Sequence, residues 1–248
     1  MNRDRGRLLV FTLGPRADAR RHPVLPASHR PDEVFLRKAC FDAVVAAGIQ
    51  EGLEVVVSAP EPVEAAGASW RPQGAGTFGE RLTRAVAASF DETPGPLIVV
   101  GTDSPGLGSH HLAEARRKVE ESPDTVVLGP APDGGFYLLA AARPLGAVLD
   151  GIPWCGARTR RALVAALRRS GRPVQLLRPL RDLDRPSDAA RFLRGAMPLP
   201  SAVEVAARAI RRALRESRPW LPAAAVDRPS FVDHDPSLGR APPLPKAA

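Results

Sequence analysis

Leu97-Ile98-Val99-Val100-Gly101-Thr102-Asp103-Ser104-Pro105 is an apolar run that passes directly into an acidic turn. The run reads as a buried strand, and in open α/β sheets ligands bind beyond the carboxyl ends of parallel strands. Asp103 would stand there. A carboxylate so placed can hold Mg²⁺ or Mn²⁺ through one or two bonds while substrate phosphates complete the octahedron. It can equally cap the helix that follows Pro105.

Two more acidic turns follow apolar strands further along the chain. Thr125 to Leu128 leads into Gly129-Pro130-Ala131-Pro132-Asp133-Gly134-Gly135, where the glycine pair permits a sharp turn or a close backbone approach to a ligand. An ordinary Asp-Gly hairpin into Phe136 is the other reading of that stretch. Val174 to Leu177 leads into Arg181-Asp182-Leu183-Asp184-Arg185-Pro186, which also suits a helix start at Pro186. Three acidic turns after three strands of one sheet would crowd negative charge onto one rim. Two carboxylates about 4 Å apart repel by about 4 kcal/mol at an effective dielectric of about 20. A divalent cation offsets that repulsion.

Around these turns, strands and helical periodicities alternate in the manner of βαβ units. Strands are predicted at Leu8 to Leu13, Glu54 to Ser58, Leu97 to Val100, Thr125 to Leu128, Phe136 to Ala142 and Val174 to Leu177. Helices are predicted at Asp32 to Ala47, Glu80 to Phe90, Leu112 to Glu121 and Arg158 to Ser170, with a short one after Pro186. Pro60, Pro62, Gly67, Pro72, Gly74 and Gly76 mark a long loop. One α/β domain would therefore span 1–195. An amphipathic helix in 196–218 turns Val203, Ala206, Ile210 and Leu214 inward and packs back on the domain. The proline-rich stretch 219–248 shows little periodicity and reads as a disordered tail.

The chain has 248 residues, 44% of them hydrophobic, which is enough for a real core. No stretch approaches the ~20 apolar residues of a membrane-spanning helix. The first apolar run is too short for a signal-peptide core, so a cytoplasmic protein without membrane insertion is expected. Cys40 and Cys155 form neither a metal-binding pair nor a disulfide framework. The net charge of +8 raises nucleic-acid binding, but the charge is almost all arginine and no aromatic-interleaved basic strand accompanies it. Nucleic acid is not the expected partner.

In order, Gly101 to Pro105, Gly129 to Tyr137, Ile152-Pro153-Trp154 and Asp182-Leu183-Asp184 with Pro186 and Asp188 resemble bacterial glycosyltransferase-A-like proteins. These are the arsenosugar-biosynthesis-type glycosyltransferases, kin to the 2-phospholactate guanylyltransferases. Gln73-Gly74 and Phe78-Gly79-Glu80-Arg81-Leu82 fit the same pattern, and the resemblance spans Leu8 to Leu193. It implies a three-layer nucleotide-diphospho-sugar transferase (glycosyltransferase-A) fold with a mostly parallel central sheet. It also implies a divalent metal on Asp103 and Asp184, and substrate contacts near Asp133, Gly134, Gly135 and Phe136.

The first loop departs from that pattern. Relatives carry a phosphate cradle there, whereas Leu13, Asp18 and Pro23 stand in place of a Lys, a Gly and an Arg, and Arg21 replaces a Lys. Arg16, Arg20 and Arg21 either meet a diphosphate in another geometry or form a solvated basic loop. Arg81 is the next candidate for phosphate contact, or else part of a surface ion pair. His110 and His111 read as surface helix residues, Trp154 as core, and Cys155 as a thiol with no activating base.

The first functional expectation is sugar transfer from a nucleotide-diphospho-sugar to a small-molecule acceptor, with Asp103 and Asp133 catalytic and Mg²⁺ or Mn²⁺ as cofactor. The second is nucleotidyl transfer from a nucleoside triphosphate to a small phosphorylated acid. A third, prompted by the altered first loop, is an inactive nucleotide-binding module.

Overall fold

The computed structural model describes residues 6–92, 95–195 and 198–216, so the proline-rich stretch read as a tail lies outside the described residues. Among the described residues seven strands form one sheet: β1 (Arg7–Phe11), β2 (Glu54–Ala59), β3 (Ala68–Pro72), β4 (Leu97–Val100), β5 (Val126–Pro130), β6 (Phe136–Ala141) and β7 (Val174–Leu176). Their order is β3-β2-β1-β4-β6-β5-β7. β6 alone runs against its neighbours, β4 and β5. Because both flank the same reversed strand, β4 and β5 point the same way, and β7 is parallel to β5. The carboxyl ends of β1, β2, β3, β4, β5 and β7 therefore share one edge.

Helices α1 (Pro15–Arg21), α2 (Arg30–Gln50), α3 (Phe78–Glu92), α4 (Ser109–Glu121), α5 (Thr159–Arg169), α6 (Pro186–Leu193) and α7 (Ser201–Glu216) complete the fold. Alternate strand side chains face opposite layers, as the two-residue period requires. Leu8, Val10, Val55, Val57, Ile98 and Val100 pack with Phe41 and Val44 of α2 and Leu112 of α4. Leu9, Phe11, Val56, Leu97 and Val99 pack with Leu82 and Val86 of α3 and with Leu163 and Leu167 of α5. A third cluster joins Leu36 and Cys40 of α2, Phe192 of α6, and Val203, Ala206, Ile210 and Leu214 of α7. The apolar stripe of α7 thus closes on the domain.

Several expectations are corrected. Most element ends move by one to three residues, and β1 stops at Phe11 rather than Leu13. The long loop around residues 60–76 contains an edge strand, β3, whose half-exposed Ala-Ser-Trp-Arg-Pro sequence has no clear alternation. The first loop is not a loop: Pro15 at its start and the small Ala17 and Ala19 allow the short helix α1. His111 is buried rather than on the surface, with Nδ1 accepting the Gly108 N–H at 3.2 Å and its ring edge-on to Tyr137. Burial and the adjacent His110 lower its pKa to about 4. Among the described residues no helix is long and apolar enough to cross a membrane.

Candidate active site

Asp103 follows β4, Asp133 lies in the turn between β5 and β6, and Asp182 and Asp184 follow β7. All four stand at the carboxyl edge. The segment after β7 is drawn along that edge by a series of bonds: Leu177 N–H to Leu128 O at 2.8 Å, Leu180 N–H to Pro130 O at 3.1 Å and Leu183 N–H to Asp103 O at 2.8 Å. Tyr137 Oη donates to Arg178 O at 3.0 Å between them. Leu183 is buried between Asp182 and Asp184, whose carboxylate oxygens come within 4.8 Å of each other.

The β5–β6 turn presents Asp133 through its own hydrogen bonds. Gly135 N–H donates to Asp133 Oδ1 at 2.8 Å, and Ala131 N–H donates to Gly135 O at 3.1 Å. Gly134 has φ +96°, and a Cβ there would fall 2.0 Å from Ala157 O, so the loop before α5 closes over a position only glycine fits. Arg160 ties the same contact, donating its main-chain N–H to Gly134 O at 3.0 Å and Nη1 to Ala131 O at 3.1 Å.

Asp133, Asp182 and Asp184 each offer an oxygen lying within 4.8 Å of the others. An all-carboxylate donor set of this kind suits a hard divalent cation such as Mg²⁺ or Mn²⁺. Asp103 stands outside that trio. Its Oδ1 folds back to 2.8 Å from where a Cβ on Gly101 would lie, and its own backbone N–H bonds the carboxylate.

Proton affinity records the crowding. Withdrawal from solvent, then the charge of Asp103, pushes Asp182 up to about 8, although Ser104 Oγ donates to its Oδ1 at 2.6 Å. The same two causes in that order, followed by Asp133, push Asp184 up to about 6. Asp103 is raised by burial first and then by Asp18 and Asp133.

Asp18 belongs to this group because α1 turns it inward, where it accepts from Thr12 Oγ1 at 3.1 Å. Burial raises its pKa, with a smaller contribution from Asp184. The cation that faces these carboxylates is Arg37 of α2, which eases the charge on Asp18, Asp103 and Asp184. Arg37 is 4% exposed, donates from Nη2 to His22 O at 2.9 Å and lies 3.8 Å from the fully buried Glu33. Glu33 in turn accepts Val24 N–H at 2.9 Å and Leu25 N–H at 3.3 Å. Helix α2 thereby clamps the chain leaving α1.

Of the other expected contacts, Arg81 lies in the first turn of α3, beyond the β3 end of the edge, and Arg21 is the exposed last residue of α1. Phe136 is half-buried and packs edge-on to Trp154, with centroids 6.2 Å apart. Trp154 packs in the core layer beside α3 and α5. Two residues escaped the sequence reading. Asp182 had a signal, because it shares the Asp-Leu-Asp stretch with Asp184. Arg37 had none, since one arginine in a long helix looks like a solvated one.

The sheet order, the three layers and the acidic rim define a nucleotide-diphospho-sugar transferase fold. A solved structure from Desulfovibrio desulfuricans G20, described as a "putative nucleotide-diphospho-sugar transferase", matches with a TM-score of 0.70 at 19% identity, over 86% of this chain and 98% of that one. The bifunctional IspDF of Campylobacter jejuni matches with a TM-score of 0.50 at 10% identity, over 75% of this chain and 53% of that one. At such identities the likeness is one of fold. Residues 34–156, from α2 through the loop bearing Cys155, match the family described as "Uncharacterized protein conserved in bacteria (DUF2064)". No curated protein matches the sequence.

Proposed function

We propose that this protein is a metal-dependent transferase acting on a nucleotide-linked substrate, and specifically a glycosyltransferase with a nucleotide-diphospho-sugar donor. The observation that carries this reading is the trio of Asp133, Asp182 and Asp184, with oxygens within 4.8 Å at the carboxyl edge of the sheet. The description of the D. desulfuricans protein agrees with it.

Asp133, Asp182 and Asp184 would hold Mg²⁺ or Mn²⁺, which when bound supplies charge neutralisation for a leaving diphosphate. Gly135 N–H fixes Oδ1 of Asp133, and the carboxylate so held would help to orient the sugar. Asp103, beside the trio and with raised proton affinity, is the carboxylate available to take the proton of an acceptor hydroxyl. Arg21 and Arg81 would meet substrate phosphate from the other half of the edge. Phe136 would wall the sugar side.

The test is incubation of the full chain with Mn²⁺ and a panel of nucleotide sugars and nucleoside triphosphates, with identification of products. Release of nucleoside diphosphate supports sugar transfer. Release of pyrophosphate replaces it with nucleotidyl transfer, and binding without turnover replaces both with a nucleotide-binding module.

A further inference from the structure

The Gln73-Gly74 stretch has no place yet in this account, although Gln73 stands directly after parallel strand β3 at the same edge as the carboxylates. Gln73 is only 3% exposed. A buried primary amide must find partners for two donors and an oxygen. Its Nε2 gives both protons to main-chain carbonyls, Thr12 O just past β1 at 2.9 Å and Ser58 O in β2 at 2.9 Å. With both donors so committed, the amide orientation is fixed, and Oε1 is left facing one group, Nη1 of Arg81.

Arg81 is held by that single bond at one corner of its guanidinium, and its Nε is buried with no hydrogen-bond partner among the described residues. A guanidinium has five donors and no acceptor, so one engaged corner leaves a fork open. The next helical turn is fixed in the same way, with Arg84 Nη2 donating to Gln73 O at 2.9 Å and to Ala75 O at 2.6 Å. A Cβ on Gly79, two residues before Arg81, would lie 2.4 Å from Trp154 Cδ1, so the start of α3 rests on the residue beside the exposed Cys155. Cys155 lies two residues before Ala157, whose carbonyl covers Gly134 next to Asp133. The start of α3 that carries Arg81 and the acidic turn are therefore joined through the loop of residues 154–157.

We propose that Gln73 is a positioning residue that aims the open donors of Arg81 at a phosphate group of the substrate, making the β1–β3 half of the edge an anion subsite complementary to the carboxylate half. The identity of that phosphate as part of a nucleotide diphosphate rests on the transferase reading. The dependence of Arg81 on Gln73 does not.

Inorganic diphosphate without metal is the probe, and the protein supplies its own reporter. Cys40 is buried and Cys155 exposed, so alkylation by a maleimide reads Cys155. Diphosphate is expected to slow that alkylation, and to slow it far less in Arg81→Ala. A double-mutant cycle on diphosphate affinity separates positioning from mere staple work at the strand ends. Gln73→Met is expected to weaken binding about 10-fold in the natural background and less than about 2-fold in Arg81→Ala, because a residue acting through another is non-additive with it. Equal losses in both backgrounds overturn the proposal.

Should Gln73→Met not fold, Arg81→Lys decides. It retains the charge but loses the planar fork, and it is expected to lose most of the affinity. Full affinity in Arg81→Lys contradicts the inference. Failure of the product assay alongside intact Gln73–Arg81 coupling would reject the transferase reading and leave the anion subsite standing.

Discussion

The main-chain N–H of Leu183 donates to the carbonyl of Asp103 at 2.8 Å, joining the segment after the last strand to the loop after β4. Leu183 is 1% exposed and acts as the apolar anchor between two carboxylates that face the cleft. Leu183→Ala should cost about 2–5 kcal/mol through the lost burial and the cavity left behind. Because the anchor also sets Asp182 and Asp184, Mn²⁺ affinity should fall with it. Denaturant unfolding and a Mn²⁺ titration on the same preparation check both halves.

Charge in the cleft makes stability depend on pH in an unusual sense. Asp182 rises from 3.8 to about 8 in the folded protein, so between those values the native state keeps a proton that the unfolded state releases. Stability rises with pH only where the unfolded state binds more protons, so this group lowers stability as pH climbs from about 4 to about 8. Without metal, Asp182→Asn should therefore gain melting temperature over the natural protein at about pH 8 and show little gain at about pH 4. Adding Mn²⁺ at the higher pH should reverse the order. A variant less stable than the natural protein across the whole metal-free range would refute the charge-crowding argument.

Gly134→Ala tests the turn that presents Asp133. Its φ of +96° is strained for any L side chain, and the added Cβ would lie 2.0 Å from Ala157 O. The expected cost is about 1–3 kcal/mol from backbone strain before the clash is counted. Metal affinity should drop by more than stability predicts, because the turn must shift. Calorimetric unfolding with and without Mn²⁺ measures the two effects.

Much of this architecture can be read from sequence because it depends on local patterning. Leu97 to Val100 followed by Gly101-Thr102-Asp103 identifies a buried strand and its acidic end, and the same logic reaches Asp133 and Asp184. The edge they share follows from strand direction. Sequence could not show α1, because seven residues carrying three arginines have too little apolar periodicity to declare a helix. Nor could it show β3, an edge strand buried on neither face. The nearness of Asp18 and Arg37 to the site depends on how α1 docks on α2, a tertiary fact with no local signature. The same docking makes Asp18→Gly a change to a buried acidic group rather than to a phosphate cradle.

Arg37 is the fixed cation behind Asp18, Asp103 and Asp184, and it pairs with a Glu33 that is fully buried. Glu33 keeps Arg30 Nη1 at 3.3 Å, so Arg37→Met removes mainly the buried cation behind the three aspartates and should destabilise the protein by about 1–3 kcal/mol. Arg37→Lys should recover only part of that, since an ammonium does not reproduce the guanidinium's planar donor geometry. Urea unfolding of the three proteins provides the comparison, and a loss below about 1 kcal/mol for Arg37→Met would contradict the role given to this residue.

The central claim is that Asp133, Asp182 and Asp184 together hold a divalent cation for a nucleotide-linked substrate. Calorimetric titration of Mn²⁺ with nucleoside diphosphate into the full chain and into Asp184→Asn tests it most directly. The account predicts a single Mn²⁺-dependent site in the natural protein and a loss of affinity of about 100-fold, equivalent to about 3 kcal/mol, in the variant with its fold unchanged. Equal affinity in the two proteins would contradict it.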